Sequence, residues 1–410
     1  MQLLHLDTLE QAQERLRTTV GATWAKIETR PLAKVRGYVL ARDIFAEENV
    51  PGFDRSTVDG YAVLAADTAA AGESLPAFLH LIGNVDMGEP ARFAISSGEC
   101  AYVPTGAMLP AGANAVVMVE YCEQLGDKIA IGDAVSPGRN VVYRGEDMTS
   151  GNLVLSRGRI LGPAEIGVFA ALGITEIPAY MPPRIAVFSS GNEIIPLTKK
   201  PGPGQVRDIN GPAITALAKQ AGFMVVKTGI LPDDEEFLKR TLRQAMLEHD
   251  IVVISGGSSQ GQKDLTSRVI DDIAEPGLLT HGLAVKPGKP TILGFDEKTS
   301  TVLVGLPGHP VSAMMVFDAV LLSWWQSITG QIPSIPLRAE LEKNLAAAPG
   351  KSTFQPVKLS CQQGKAFAEP LFYKSGLIST LAQADGFIIL DRNQEGLPAG
   401  AEVAVHILRR

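Results

Sequence analysis

Cysteine is scarce in this 410-residue chain: Cys100, Cys122 and Cys361 are scattered, odd in number and without a CxxC. A disulfide framework is therefore not expected, and a reducing, cytoplasmic setting is. Positive charge is not in excess either. Lys+Arg number 37 against Asp+Glu 44, a formal net charge of -7, and such a field does not attract polyanions, so nucleic-acid binding is disfavoured. Long apolar runs are missing as well. The longest, Val311 to Trp325, is broken by Ser312, Asp318 and Ser323 and falls short of the ~20 apolar residues that span a bilayer. The opening MQLLHLDTLEQ has no basic stretch, long apolar core or small-residue cleavage site, so no export signal is expected. The six histidines form no HExxH or tight His/Cys cluster, and GxSxG and GxGxxG are absent. Catalytic zinc, Ser/His hydrolysis and dinucleotide chemistry consequently have no support.

Glycine and proline are abundant, 41 and 27 residues, above the usual shares of about 7% and 5%, so loops of special geometry should carry the chemistry. With 45% hydrophobic and 20% charged residues the chain can bury several cores. The N-terminus predicts a helix: Thr8 with Gln11 resembles a capping box, Leu9, Ala12 and Leu16 keep helical spacing, and Gly21 stops it. Short strand-like pieces follow Pro51, such as Ala77 to Ile82 and Ala115 to Tyr121, and Pro163 to Ala171 reads as helix again. From Pro183 strands and helices alternate regularly, and beyond Pro333 and Pro336 short strands return. The expected fold is a multidomain α/β plus β chain. A central, doubly wound, mostly parallel α/β domain spans 183–332, a β-rich insertion 46–140, a split N-terminal α+β domain 1–45 with 141–182, and a small C-terminal β domain 333–410.

Three loops follow strands of the α/β region: Ser189-Ser190-Gly191-Asn192-Glu193; Ser255-Gly256-Gly257-Ser258-Ser259-Gln260-Gly261, ending at Asp264 before a helix; and Gly305-Leu306-Pro307-Gly308-His309-Pro310. Each could be a mere turn. Three on one edge of a sheet suggest a crevice, because open α/β sheets bind ligands at the carboxyl ends of their strands, where loop and helix N–H groups cradle anions. Lys286-Pro287-Gly288-Lys289-Pro290 lacks the Walker spacing, and its lysines are either solvated or a phosphate clamp. Asp59, Asp147, the pair Asp233-Asp234 and Asp264 sit in loops, as turn and cap residues or as oxygen ligands for Mg²⁺. A bound cation would reconcile an acidic protein with an anionic ligand. His309 has the right pKa range for a base but stands equally well as a helix-start residue.

Seven strings then combine: Pro51 to Val63 (PGFDRSTVDGYAV), Pro104 to Ala107, Arg144 to Asp147, Ser190 to Glu193, Gly256 to Asp264, Lys286 to Pro290 and Gly305 to Ala313. In this order the chain resembles the molybdopterin molybdenumtransferases, the MoeA and gephyrin E-domain family, over nearly its whole length. The resemblance implies the final step of molybdenum cofactor synthesis. Adenylylated molybdopterin binds, molybdate reaches its dithiolene sulfurs, the bond to AMP is cleaved with Mg²⁺ present, and cofactor and AMP leave. It also implies an elongated homodimer of four-domain chains, with the crevice between the α/β domain of one copy and the β-rich domain of the other. Other cofactor-synthesis proteins would be further partners, and no nucleic acid or membrane.

Carried over residue by residue, the catalytic set would be Asp59, Thr105, Asp147, Glu193, Asp264, Lys286 and Lys289. Glu193, Asp233 and Asp264 would hold metal, and Ser190, Gly191, Gly256, Gly257, Ser258, Pro307, Gly308, His309, Pro310 and Ser375 would meet substrate. The chain departs from common family patterns at Asn192, where many members have Asp; at His309, often Asn; at Gly282, Lys in some; and at Lys351 and Pro356, often Arg. These changes alter local charge and leave tungstate open as the oxyanion. The alternatives are a molybdopterin adenylyltransferase, which shares the α/β fold without the flanking β domains, and a peptide-binding scaffold like gephyrin's related domain.

Overall fold

The computed structural model describes residues 6–256, 260–372 and 374–408, with side chains throughout except at 260–264. Its contacts form two compact units, Met1–Arg42 with Arg157–Gly162 and Ile177–Arg410, and Asp43–Ser156 with Pro163–Glu176. Helix α1 (Leu9–Val20) opens with the expected capping box: Gln11 N donates to Thr8 Oγ1 at 3.2 Å and Thr8 N donates to the Gln11 side chain at 2.9 Å. Leu9, Ala12, Leu16 and Val20 are buried, and Gly21 at φ 75° ends the helix. Helix α2 (Pro163–Ala171) belongs to the second unit and α1 to the first. Val168 and the nearby Leu172 pack with Ala46 and Met148 of that unit, contacts too distant in sequence for periodicity to reveal.

The first unit is built on a six-stranded sheet in the order Met224–Leu231, Arg184–Ser190, Ile251–Gly256, Thr301–Leu306, Ile292–Asp296, Pro276–His281. The first four strands run parallel, and Ile292–Asp296 is antiparallel to both neighbours. The edge strand Pro276–His281 is absent from the sequence reading because its opening Pro-Gly signals a turn; proline is tolerated as the first residue of an edge strand. Alternate side chains leave the sheet on opposite faces, as strand geometry requires. Ile185, Val187, Val253 and Val304 join α1, α3 (Asn210–Gln220) and the helix after His309 in one core. Ala186, Phe188, Val252, Ile254 and Leu303 join α4 (Glu235–Glu248) and α5 (Gln260–Ile273) in the other. With both faces covered the strands read as continuous apolar runs, and each fully buried Val, Ile or Leu contributes about 1.5–3 kcal/mol.

The helix after His309 comprises α6 (Pro310–Val316), a π-helical stretch Phe317–Leu322, and α7 (Ser323–Thr329), closed by Gly330 at φ 74°. Its 20 residues are long and apolar enough to cross a membrane, yet Val311, Phe317, Leu321 and Trp324 are buried in the first core. Beyond it five strands close on themselves: Ser352–Gln362, Lys365–Pro370, Leu337–Leu341, Glu402–Ile407 and Gly386–Leu390. Leu341, Val357, Ala368, Ile388 and Val405 fill the barrel. The short strand Val285–Lys286, from much earlier in the chain, pairs with Ser352 and Thr353 at its side. The second unit is β-rich, a six-stranded sheet around Val63, Leu79, Cys100, Val117, Ile129 and Ile131.

Candidate functional site

Parallel register brings the strand ends together. Ser190 lies beside Leu231 and Gly256, and Ser255 beside Leu306, so four loops leave the sheet at one edge. The approach is close: a Cβ on Gly256 would run into the backbone carbonyl of Ser190, which is why this strand ends in glycine. Between the loops lies a cleft of about 260 Å³, lined among others by Ser190, Glu193, Gly256, Gly308, His309 and Pro310. These are residues expected to meet substrate or metal, and they belong to three separate loops.

Hydrogen bonds between loops fix the cleft's shape, those at Ser255 deepest in the fold. Asp233, half-buried, accepts from Ser190 Oγ at 2.8 Å and from Asn192 N at 3.2 Å, while Asp233 N donates to Asn192 Oδ1 at 3.3 Å. The departure at Asn192 thus keeps an acceptor where a family aspartate would also supply one. Asp234 caps α4 by accepting from Phe237 N at 2.7 Å, so the pair divides its work between loop and helix. Ser255 Oγ donates to Pro307 O at 3.1 Å. Asn210 Nδ2 donates to Ser255 Oγ at 2.7 Å and to Gly308 O at 2.8 Å. His309 Nδ1 and Ser375 Oγ are 2.7 Å apart, so two residues 66 apart in sequence meet, one from the third loop and one from the C-terminal region.

Sequence reasoning missed the support behind these loops. Asp208 Oδ1 accepts from Ser189 Oγ at 2.7 Å and from Gly211 N at 3.0 Å, and Asp208, Asn210 and Arg207 all line the cleft. The available signal was a carboxylate three residues before Gly211 at a helix start, the spacing of a helix-opening Asp.

Lys286 and Lys289 are exposed and are not among the residues lining this cleft. Their turn is stiff. Thr291 Oγ1 donates to Gly288 O at 2.8 Å, and Leu283 N and Thr291 N both donate to Lys289 O at 2.9 Å. Gly288 at φ 122° has Val316 where a side chain would go. The departure at Gly282 has a backbone reason: φ is 101°, a conformation that side chains rarely adopt, and a Cβ there would also press on the tip of Leu6 at 2.7 Å. Gly257 and Ser258 lie outside the described residues. Asp264 lies within α5, which begins at Gln260, so the expected placement before the helix is corrected by one turn; its side chain is outside those described.

In the second unit Thr105 donates twice to Asp59 Oδ1, from N at 2.6 Å and from Oγ1 at 2.8 Å. These bonds, the backbone one first, hold the Asp59 carboxyl below its ordinary value, so it is ionised at neutral pH. Asp59 and Thr105 are both exposed. Gly60, next in sequence, begins the strand Gly60–Val63, and a Cβ there would collide with the Val117 carbonyl. Asp147 is exposed on a separate cavity of about 400 Å³ with Gly145, Met148 and Asn152.

Among the described residues no three His, Cys, Asp or Glu side chains cluster as a metal cage. That donor set still suits Mg²⁺, which uses one or two carboxylates and otherwise waters and substrate phosphates. Glu193, exposed on the cleft, offers such a carboxylate.

Three family models match the chain in order. "MoeA N-terminal region (domain I and II)" covers residues 7–173, "Probable molybdopterin binding domain" 186–326, and "MoeA C-terminal region (domain IV)" 338–408. A molybdopterin molybdenumtransferase from Haemophilus influenzae is 30% identical over 97% of this chain and 98% of its own length. The chain belongs to the MoeA family. Another relative of that name, from Staphylococcus aureus, is 29% identical over 92% of this chain and 90% of its own. Two crystal structures of a molybdopterin biosynthesis MoeA protein from Pyrococcus horikoshii superpose with TM-scores of 0.79, at 36% and 29% identity, covering 99% and 98% of this chain and 100% of theirs. Most residues lining the strand-end cleft fall in the segment matched by the probable molybdopterin-binding model, with Gly376 from the C-terminal one, and the Asp59–Thr105 pair falls in the N-terminal one.

Proposed function

We propose that this chain is a molybdopterin molybdenumtransferase that inserts molybdate into adenylylated molybdopterin and releases AMP. The observation that carries the reading is that a preorganised strand-end cleft is assembled from loops of the segment matching the molybdopterin-binding family model. Asp233 holds the Ser190–Asn192 turn, the Asn210–Ser255 bonds hold the other two loops, and Glu193 stands open to a hydrated cation. Mg²⁺, when bound, would neutralise charge on the transferring phosphate. Lys286 and Lys289 supply point charges for phosphate or molybdate. The Thr105-clamped, anionic Asp59 serves a shared pocket formed with a second copy of the chain, and Asp147 and Asp264 orient the attacking oxygen or the cation.

The test mixes the purified chain with adenylylated molybdopterin, Mg²⁺ and molybdate and follows AMP. Molybdate-dependent AMP release, lost in Asp59→Ala and Asp264→Ala, is expected. ATP-dependent formation of the adenylylated pterin would replace the reading with an adenylyltransferase, and tungstate in place of molybdate settles the oxyanion. Light scattering at twice the chain mass is expected for the dimer.

A further inference from the structure

Among the described residues that line the strand-end cleft, Arg207 is the one lysine or arginine. The fixed positive charge that the cleft itself offers is therefore not that of the lysine turn. Backbone pairing sets its place. Strand Val206–Arg207 runs parallel to Ile194–Ile195, with Arg207 beside Ile195. Val206 N donates to Glu193 O at 2.9 Å and Asp208 N donates to Ile195 O at 3.0 Å, so two bonds bracket Arg207 and tie it to the strand that leaves the Glu193 loop. The exposed side chain is tethered as well, because Arg207 Nε donates to Lys199 O at 3.0 Å. A guanidinium carries five N–H bonds in one plane. The tether uses one of them, and the four on Nη1 and Nη2 have no partner among the described residues. The cleft's carboxylates do not consume them: Asp208 Oδ1 is taken by Ser189 and Gly211, and no ion pair joins Arg207 to Glu193 among the described residues. A guanidinium restrained at its base with its outer fork unspent, standing on a cleft wall, matches the paired oxygens of a tetrahedral oxyanion. Such a fork grips two oxygens at once, where a lysine meets them as a point charge.

Resting on the molybdenum-insertion reading, we propose that Arg207 is a substrate-binding residue whose Nη1–Nη2 fork grips a tetrahedral oxyanion, either a phosphate of the adenylylated pterin or molybdate. The two share a negative charge and a pair of oxygens spaced for the fork. Labour in the cleft then divides by sign: Glu193 is left to a hydrated cation, and Arg207 to the oxygens of the anion. Because the ladder and the Nε tether already restrain the side chain, little freedom is lost when the anion arrives.

The experiment titrates two probes, inorganic pyrophosphate and molybdate, into the full-length chain by calorimetry, in buffer stripped of divalent cations so that no metal bridges protein and anion. In Arg207→Gln at least one of them is expected to bind about ten- to a hundredfold more weakly than in the parent. A loss with pyrophosphate assigns the fork to the phosphate, a loss with molybdate assigns it to the metal oxyanion, and a loss with both means that one seat serves the two in turn. Arg207→Lys should recover only part of the affinity, since it keeps the charge and lacks the fork. Both variants should melt within about 2 °C of the parent, as substitutions of exposed side chains do. Unchanged binding of both anions to Arg207→Gln, no measurable binding of either to the parent, a lysine variant as tight as the parent, or a weakening that comes with a larger fall in Tm overturns the proposal. A chain that shows the loss yet releases no AMP in the insertion assay would forfeit the reading and keep the fork. AMP release with an indifferent Arg207 would do the reverse.

Discussion

The strand-end cleft of the first unit and the Asp59–Thr105 corner of the second place their polar groups under opposite conditions. In the cleft Ser255 is fully buried and Asn210 nearly so, and each tie joins loops far apart in sequence. At the corner, carboxylate and hydroxyl are exposed, and two bonds to one oxygen set the charge state. Buried hydrogen bonds hold shape, because an orphaned partner has no water to turn to, whereas exposed ones hold a proton balance at little cost in stability.

Substitutions should separate the two roles. The largest effect is expected from Gly256→Val, which drives a branched side chain into the Ser190 carbonyl; a loss of about 3 kcal/mol in urea denaturation is anticipated. A variant as stable as the parent would mean that the strand ends do not touch. Ser255→Ala strands Asn210 and Pro307 together and should cost about 1–3 kcal/mol by the same measurement. Asp59→Asn, in contrast, should leave Tm unmoved while AMP release collapses; a large Tm shift would make the corner structural and erase the contrast.

The pH response sharpens the comparison. Because the Asp59 carboxyl lies below its ordinary value in the folded chain, its contribution is present above the unfolded carboxylate range and is lost only as pH falls through the lowered folded value. Thr105→Val keeps the backbone donor and removes the hydroxyl, so the Asp59 titration, followed by carboxyl NMR, should move up part of the way; an unmoved titration would deny the hydroxyl any role. Smallest of all, burial pushes the Cys100 and Cys122 thiols up to about 12, so maleimide near neutral pH should label the exposed Cys361 and spare the other two.

Much of the fold was legible because local rules agreed with it. The Thr8–Gln11 box, the stop at Gly21 and the Leu238–Leu242–Ala245 stripe behaved as their spacing predicts. The loops were legible only in combination, since small residues at one strand end serve a turn equally well and three on one sheet edge point to a crevice. What stayed hidden depends on long-range partners. Pro276–His281 looks like a turn until Ile292–Asp296 pairs with it. The meeting of His309 with Ser375, and the ties of Asn210 to Ser255 and Gly308, arise from contacts that no periodicity records.

The pairing of Val285–Lys286 with Ser352–Thr353 bears on how the molecule can be dissected. A scissor cut at the Pro333–Pro336 joint, where the sequence invites it, would separate the barrel from a strand it borrows from fifty residues upstream. Each fragment would carry raw backbone along that seam, prone to capture a stray strand. The lysine turn and the barrel are therefore a single folding purchase on the chain, and engineering one means carrying the other along.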